Sequence, residues 1–221
     1  MNSLAKEIRV LTGKEFRLEL KKKYVINGLL LYLLSAIFIT YLAFDRIIDA
    51  PTWNSLFWVI LLFVAVNGVS KSFFQENPAR HLYYYTIAGP QAIFLSKILY
   101  NMILMLVLSL LASGLFLLFM GNPVVHPGLF IAALLLGSCG LSSILTMVAA
   151  IASRAGNNFS LMAILSFPIV LPLLITVMGI SENALTEASR ANVSGQVVVL
   201  VTINIAVVAL GYLLFPYLWK D

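Results

Sequence analysis

The sequence predicts an all-α integral membrane protein. Six transmembrane helices are expected, preceded by an N-terminal amphipathic helix on the cytoplasmic surface and interrupted by a second cytoplasmic helix between spans 2 and 3. Three observations lead there. Hydrophobic residues make up 61% of the 221 positions and charged residues 10%, a balance no soluble domain of this size carries. Six apolar runs approach or reach the roughly 20 residues that cross about 30 Å of hydrocarbon. Lys and Arg fall between those runs rather than inside them.

The first segment, 1–26, carries Lys6, Arg9, Lys14, Arg17, Lys21, Lys22 and Lys23 beside Glu7, Glu15 and Glu19. Leu4, Ile8, Leu11 and Leu18 recur at helical spacing, with Phe16 and Leu20 near one edge, so an amphipathic helix lying on the membrane surface is expected. A cleaved signal peptide does not fit. The charged region is long and contains acids, and the first apolar run ends in Tyr41-Leu42-Ala43, bulky where cleavage needs small residues. The permease domain, 27–219, then holds spans at 27–44, 52–69, 98–120, 129–152, 159–180 and 196–219. The second is the weakest, entered through Pro51, Trp53 and Asn54.

Charge sets the orientation. With the N-terminus cytoplasmic, that side receives the seven cations of the first segment, then Lys71, Arg80, Lys97, Arg154 and Lys220, twelve of the fourteen. Only Arg46 and Arg190 fall outside, so both termini are placed in the cytoplasm. The outer face has three connections, and the last is long enough for a short surface helix begun by Ser181 and Glu182.

The cytoplasmic stretch 70–97 is the longest break in the apolar pattern. After Phe73, Phe74 and Glu76, Asn77 is a candidate N-cap with Pro78 at the first helical position. Gly89 suits the left-handed position after a helix, and Pro90 prevents continuation. The resulting helix of about three turns is too short to span a bilayer. It puts Arg80, Tyr83, Tyr84 and Ile87 on one face, a mixed basic and aromatic surface of the kind that meets a partner protein or lipid headgroups. Local pattern alone also allows a helix lying passively in the interface.

Inside the membrane the chain is chemically quiet. No expected span holds an Asp, Glu, Lys, Arg or His well away from its ends, which argues against ion-coupled carriers and intramembrane hydrolases. There is no P-loop, HExxH or GxSxG, so any ATP must be bound by a partner. The single Cys139 excludes an intrachain disulfide, and basic residues confined to membrane flanks argue against nucleic acid. What remains is backbone chemistry. Gly137, Gly140 and Ser143 in span 4 let a neighbouring helix approach closely, within the chain or across a dimer seam. Pro168 and Pro172, four apart in span 5, each remove a backbone hydrogen bond, so that helix is expected to bend or break as a structural kink or a hinge.

These features together resemble the CcmB family, the membrane subunits of the ABC-type haem exporter of cytochrome c maturation, themselves similar to ABC-2 permeases. The resemblance rests on the amphipathic start with Phe16-Arg17-Leu18-Glu19-Leu20, the six spans and the long first cytoplasmic loop. It is strongest at LMAILSFPIVLPLLI, residues 161–175. In the loop, Glu76, the helix, Pro90 and Lys97 take places comparable to the ABC-2 pattern, although Ala79-Arg80-His81-Leu82 replaces its Gly-Ser/Thr-Leu-Glu core. The resemblance implies a non-catalytic homodimer in the bacterial cytoplasmic (inner) membrane that pairs with a CcmA-like ATPase and with CcmC-like and CcmD-like membrane proteins. Phe73, Phe74, Glu76, Arg80, Tyr83, Tyr84 and Ile87 would contact the ATPase, and Lys97 would anchor the third span. No cofactor would be bound stably: ATP would sit in the partner, and haem would be handled by the complex and its CcmE chaperone. His126, alone in an outer loop, is either an iron ligand or, more simply, a loop residue. An ABC-2 permease exporting another hydrophobic substrate and a non-transporting assembly factor remain as alternatives.

Overall fold

A computed structural model of the chain describes residues 2–21, 23–44, 49–74, 89–154, 159–186 and 193–218. Among them there are seven α-helices and no strand. They are α1 (Asn2–Lys21), α2 (Lys23–Phe44), α3 (Ala50–Phe74), α4 (Pro90–Met120), α5 (Pro127–Arg154), α6 (Phe159–Leu185) and α7 (Val193–Leu218). The six after α1 are each long and apolar enough to cross a membrane.

Local chemistry sets the boundaries. Asp49 caps α3 by accepting the Thr52 N–H at 3.2 Å, with Pro51 in the first turn where no N–H is needed. Hydrogen bonding from the Thr52 side chain, and then from its backbone N–H, holds the carboxylate below its ordinary range. Gly121 ends α4 with φ +83°, a conformation costly for any side chain. The 121–126 loop then closes on α6, where the N–H groups of Val125 and His126 both donate to the Ala184 carbonyl, at 3.0 and 2.9 Å.

α5 is the hub, packed against α3, α4, α6 and α7. Its small residues explain why. A Cβ on Gly137 would stand 2.6 Å from the Trp58 ring of α3 and 2.8 Å from Val177 of α6, and one on Gly140 would strike Leu173 of α6. Ser143 is buried and donates to the Cys139 carbonyl at 2.7 Å, within its own helix. The close approach made by Gly137 and Gly140 is therefore between helices of one chain. Around it lies an aromatic cluster in which Trp53 and Phe57 of α3 stack with centroids 5.5 Å apart and meet Phe116 of α4 and Phe130 of α5.

Most of the buried hydroxyls bond to their own helix, as Ser138 and Ser143 do, but other polar groupings bridge helices. Trp58 Nε1–H donates to Ser181 Oγ at 2.8 Å, Ser181 donates to Asn54 Oδ1 at 2.6 Å, and Asn54 Nδ2 donates to the Met178 carbonyl at 2.9 Å, joining α3 to α6. Asn101 Nδ2 donates to Thr146 Oγ1 at 2.9 Å, joining α4 to α5. In an apolar surrounding such bonds give a seam its register as well as stability.

Two boundaries differ from the sequence reading. Gly89 is extended (φ −66°, ψ 145°), not left-handed, and caps the next helix, of which Pro90 is the first residue. Proline at the first position has its φ already set and lacks only an N–H that would be unsatisfied there. No separate surface helix begins at Ser181 and Glu182, because α6 continues through them to Leu185. Ser181 is buried and bonded to Asn54 and Trp58, not capping a new helix. Of the bend or break expected at Pro168 and Pro172, the break is absent: α6 is helical through both. Both prolines lie on its exposed side, where their rings displace no neighbouring helix.

Candidate functional site

The N-terminal three turns of α4, from Pro90 to Asn101, follow directly on the stretch in which the sequence placed its partner-binding surface. They are unusually buried for the end of a membrane helix: Ala92, Phe94, Ser96, Lys97, Ile98, Tyr100 and Asn101 are all enclosed. Glycine makes this possible on one side. The Phe94 ring lies where a Cβ on Gly211 of α7 would be, and stacks on Phe215 with centroids 4.9 Å apart.

α1 covers the other side. Phe16 meets Tyr100 edge-on at 5.1 Å, and Thr12 Oγ1 lies 3.5 Å from the Ser96 carbonyl while donating to its own helix at Ile8. Lys97, whose side chain is 2% exposed, has its Nζ 3.8 Å from Glu15 Oε1; Glu15 is itself 11% exposed and takes a second contact, 3.0 Å, from Lys14. A charge pair at that burial loses most of its hydration, so its two members are costly to separate. One turn further on, Asn101 is bonded to Thr146 of α5. The start of α4 is thus gripped by α1 and α7 and tied to the hub helix.

The sequence-chosen residues distribute unevenly over this arrangement. Phe73 and Phe74 form the last turn of α3. Glu76, Arg80, Tyr83, Tyr84 and Ile87 lie outside the described residues. Lys97 stands seven residues into α4 and is paired with α1. Gly137, Gly140, Ser143, Pro168 and Pro172 lie elsewhere, in α5 and α6. His126 sits in the loop before α5, its backbone N–H on Ala184 and its carbonyl accepting from Phe130. Among the described residues no three of His, Cys, Asp and Glu come together.

Sequence reasoning missed the Glu15–Lys97 pair, yet a signal for it was present. Glu15 falls by helical spacing between Ile8 and Leu11, inside the apolar stripe of α1. An acid there has to meet a cation on whatever the stripe covers. The contacts of Thr12, Gly211 and Asn101 had no comparable signal.

The family model described as CcmB protein matches residues 6–217. The chain belongs to the CcmB family. The match takes in all but the first residues of α1, all six spans and the stretch between α3 and α4. Curated proteins give no match. As a CcmB protein the chain is a multi-pass membrane protein, a permease-type subunit of the haem exporter of cytochrome c maturation.

Proposed function

We propose that this CcmB subunit is a mechanical coupler that converts ATP hydrolysis by a CcmA-like partner into release of the haem-loaded chaperone CcmE from a CcmC-like protein. Two copies pair in the bacterial cytoplasmic (inner) membrane with both termini in the cytoplasm, and a CcmD-like protein completes the assembly. The end of α3, with Phe73 and Phe74, and the stretch after it, with Glu76, Arg80, Tyr83, Tyr84 and Ile87, contact the ATPase. The observation that carries the reading is the grip on the start of α4. A push delivered just before Pro90 reaches α1 through Lys97–Glu15, α7 through Phe94 and α5 through Asn101. The chain itself carries out no chemistry in this scheme, and Pro168 and Pro172 give α6 its compliance.

The test is to isolate the protein from its native membrane in mild detergent and identify the copurifying ATPase, comparing wild type with Arg80→Glu. Recovery of a CcmA-like subunit with a CcmC-like protein, weakened by the substitution, is expected. An ATPase without a CcmC-like protein would point to export of another hydrophobic substrate, and recovery of no ATPase would refute the coupling.

A further inference from the structure

The apolar stripe of α1, expected to rest on lipid, is occupied instead by α4, and what α1 turns outward is basic. Lys6, Arg9, Lys14 and Arg17 line one surface groove of ≈ 580 Å³ in which no acid takes part. The acid Glu15 is turned inward to Lys97. Because Lys14 reaches Glu15 at 3.0 Å, the outward positive field comes chiefly from Lys6, Arg9 and Arg17. Val10 stands among these cations 64% exposed, an apolar side chain at a depth where only an interface would cover it.

A second groove of ≈ 530 Å³ adjoins the first. It runs between α1 and α4 and is lined largely by apolar side chains, among them Ala5, Ile8, Phe16 and Leu99. The two grooves share Arg9 and Gly13, and a Cβ on Gly13 would meet nothing within 4 Å, so the passage between them is open. A basic cleft continuous with an apolar one matches a single class of molecule, with a phosphate at one end and a hydrocarbon chain at the other. Placement agrees. Only Lys22 separates α1 from the helix of the first span, which keeps α1 at the bilayer surface.

We propose that α1 holds an anionic phospholipid, its headgroup phosphate against Lys6, Arg9 and Arg17 and one acyl chain in the groove over Phe16 and Leu99. The lipid fills the gap between α1 and α4 and seats the helix on the leaflet. This holds whatever the complex releases or exports.

Native mass spectrometry of the intact complex in mild detergent tests it, with phosphatidylglycerol or phosphatidylcholine added. Wild type is expected to retain phosphatidylglycerol preferentially. The triple variant Lys6→Gln, Arg9→Gln, Arg17→Gln should lose affinity on the order of a hundredfold, at about fivefold per cation near an anionic surface. Gly13→Phe should lower retention without changing charge, by blocking the passage. Equal retention of phosphatidylcholine, or displacement by millimolar inorganic phosphate, overturns the proposal. So does protection of the basic face by the ATPase in lipid-free complex. A measurement on wild type alone guards against misfolded variants: phosphatidylglycerol retention must fall as salt rises, and salt-independent retention is refuting.

Discussion

Removing either member of the Glu15–Lys97 pair should destabilise the bundle, and the two removals should not cost the same. At 3.8 Å the attraction is about 4 kcal/mol for an effective dielectric constant of ~20. Desolvation of two side chains that are 2% and 11% exposed offsets most of it, so the net value of the intact pair is small. Breaking it is a different matter, costing about 3–5 kcal/mol when a buried charge is left behind. Glu15→Gln takes that carboxylate from a buried ammonium and should cost about 3 kcal/mol, the lower end of this range. Lys97→Met should cost less, since Glu15 keeps Lys14 at 3.0 Å and the methionine occupies similar volume. Glu15→Leu with Lys97→Met should recover most of the loss. The assay is thermal unfolding in detergent followed by helical circular dichroism. A 3 kcal/mol loss should lower the midpoint by roughly 6–12 °C in a chain of this size. Additive shifts, with no recovery in the double variant, would refute the reasoning and reduce the pair to an incidental contact.

Three further outcomes follow from the packing. Gly137→Ala should destabilise by about 1–3 kcal/mol, because its Cβ would press on Trp58 and Val177 on opposite neighbours, whereas Gly114→Ala, with open space around it, should be neutral or stabilise by up to about 1 kcal/mol; comparative melting of the two variants checks this. Ser181→Ala removes the acceptor of Trp58 Nε1–H and the donor to Asn54, and should cost about 1–3 kcal/mol while blue-shifting or quenching tryptophan fluorescence relative to wild type. Asp49 has its folded-state pKa depressed by hydrogen bonding from the Thr52 side chain and then from its N–H, so its capping contribution is fully present above the ordinary carboxylate value and is lost as pH falls through the depressed one. The difference in melting midpoint between wild type and Asp49→Ala should therefore be constant near neutrality and vanish in strong acid.

How much of this was legible in the sequence depended on whether a feature was periodic or relational. The six spans follow from the length and composition of each run, which one helix states by itself. Their ends were less legible, since Pro90 is compatible with stopping one helix and with starting the next; the neighbouring Gly89 decides, by its extended φ and ψ. Gly137 and Gly140 were recognisable as places of close approach, but the partners, Trp58 of α3 and Leu173 of α6, are set by a fold that brings together residues far apart in the chain. Lys97 shows the same limit from the other side. Counted as a charge flanking a span it helped to orient the chain, and that use needed no partner.

Its burial against Glu15 changes what the residue means for the mechanism. A lysine at a membrane entrance only anchors, whereas a lysine enclosed between two helices obliges them to move together, because sliding α1 past α4 would expose both charges to apolar surroundings. The helix that the sequence assigned to the membrane surface is consequently tied to the start of α4. Under the proposed coupling, a force applied between α3 and α4 would act on α1 as well, and so on the lipid proposed to sit along it.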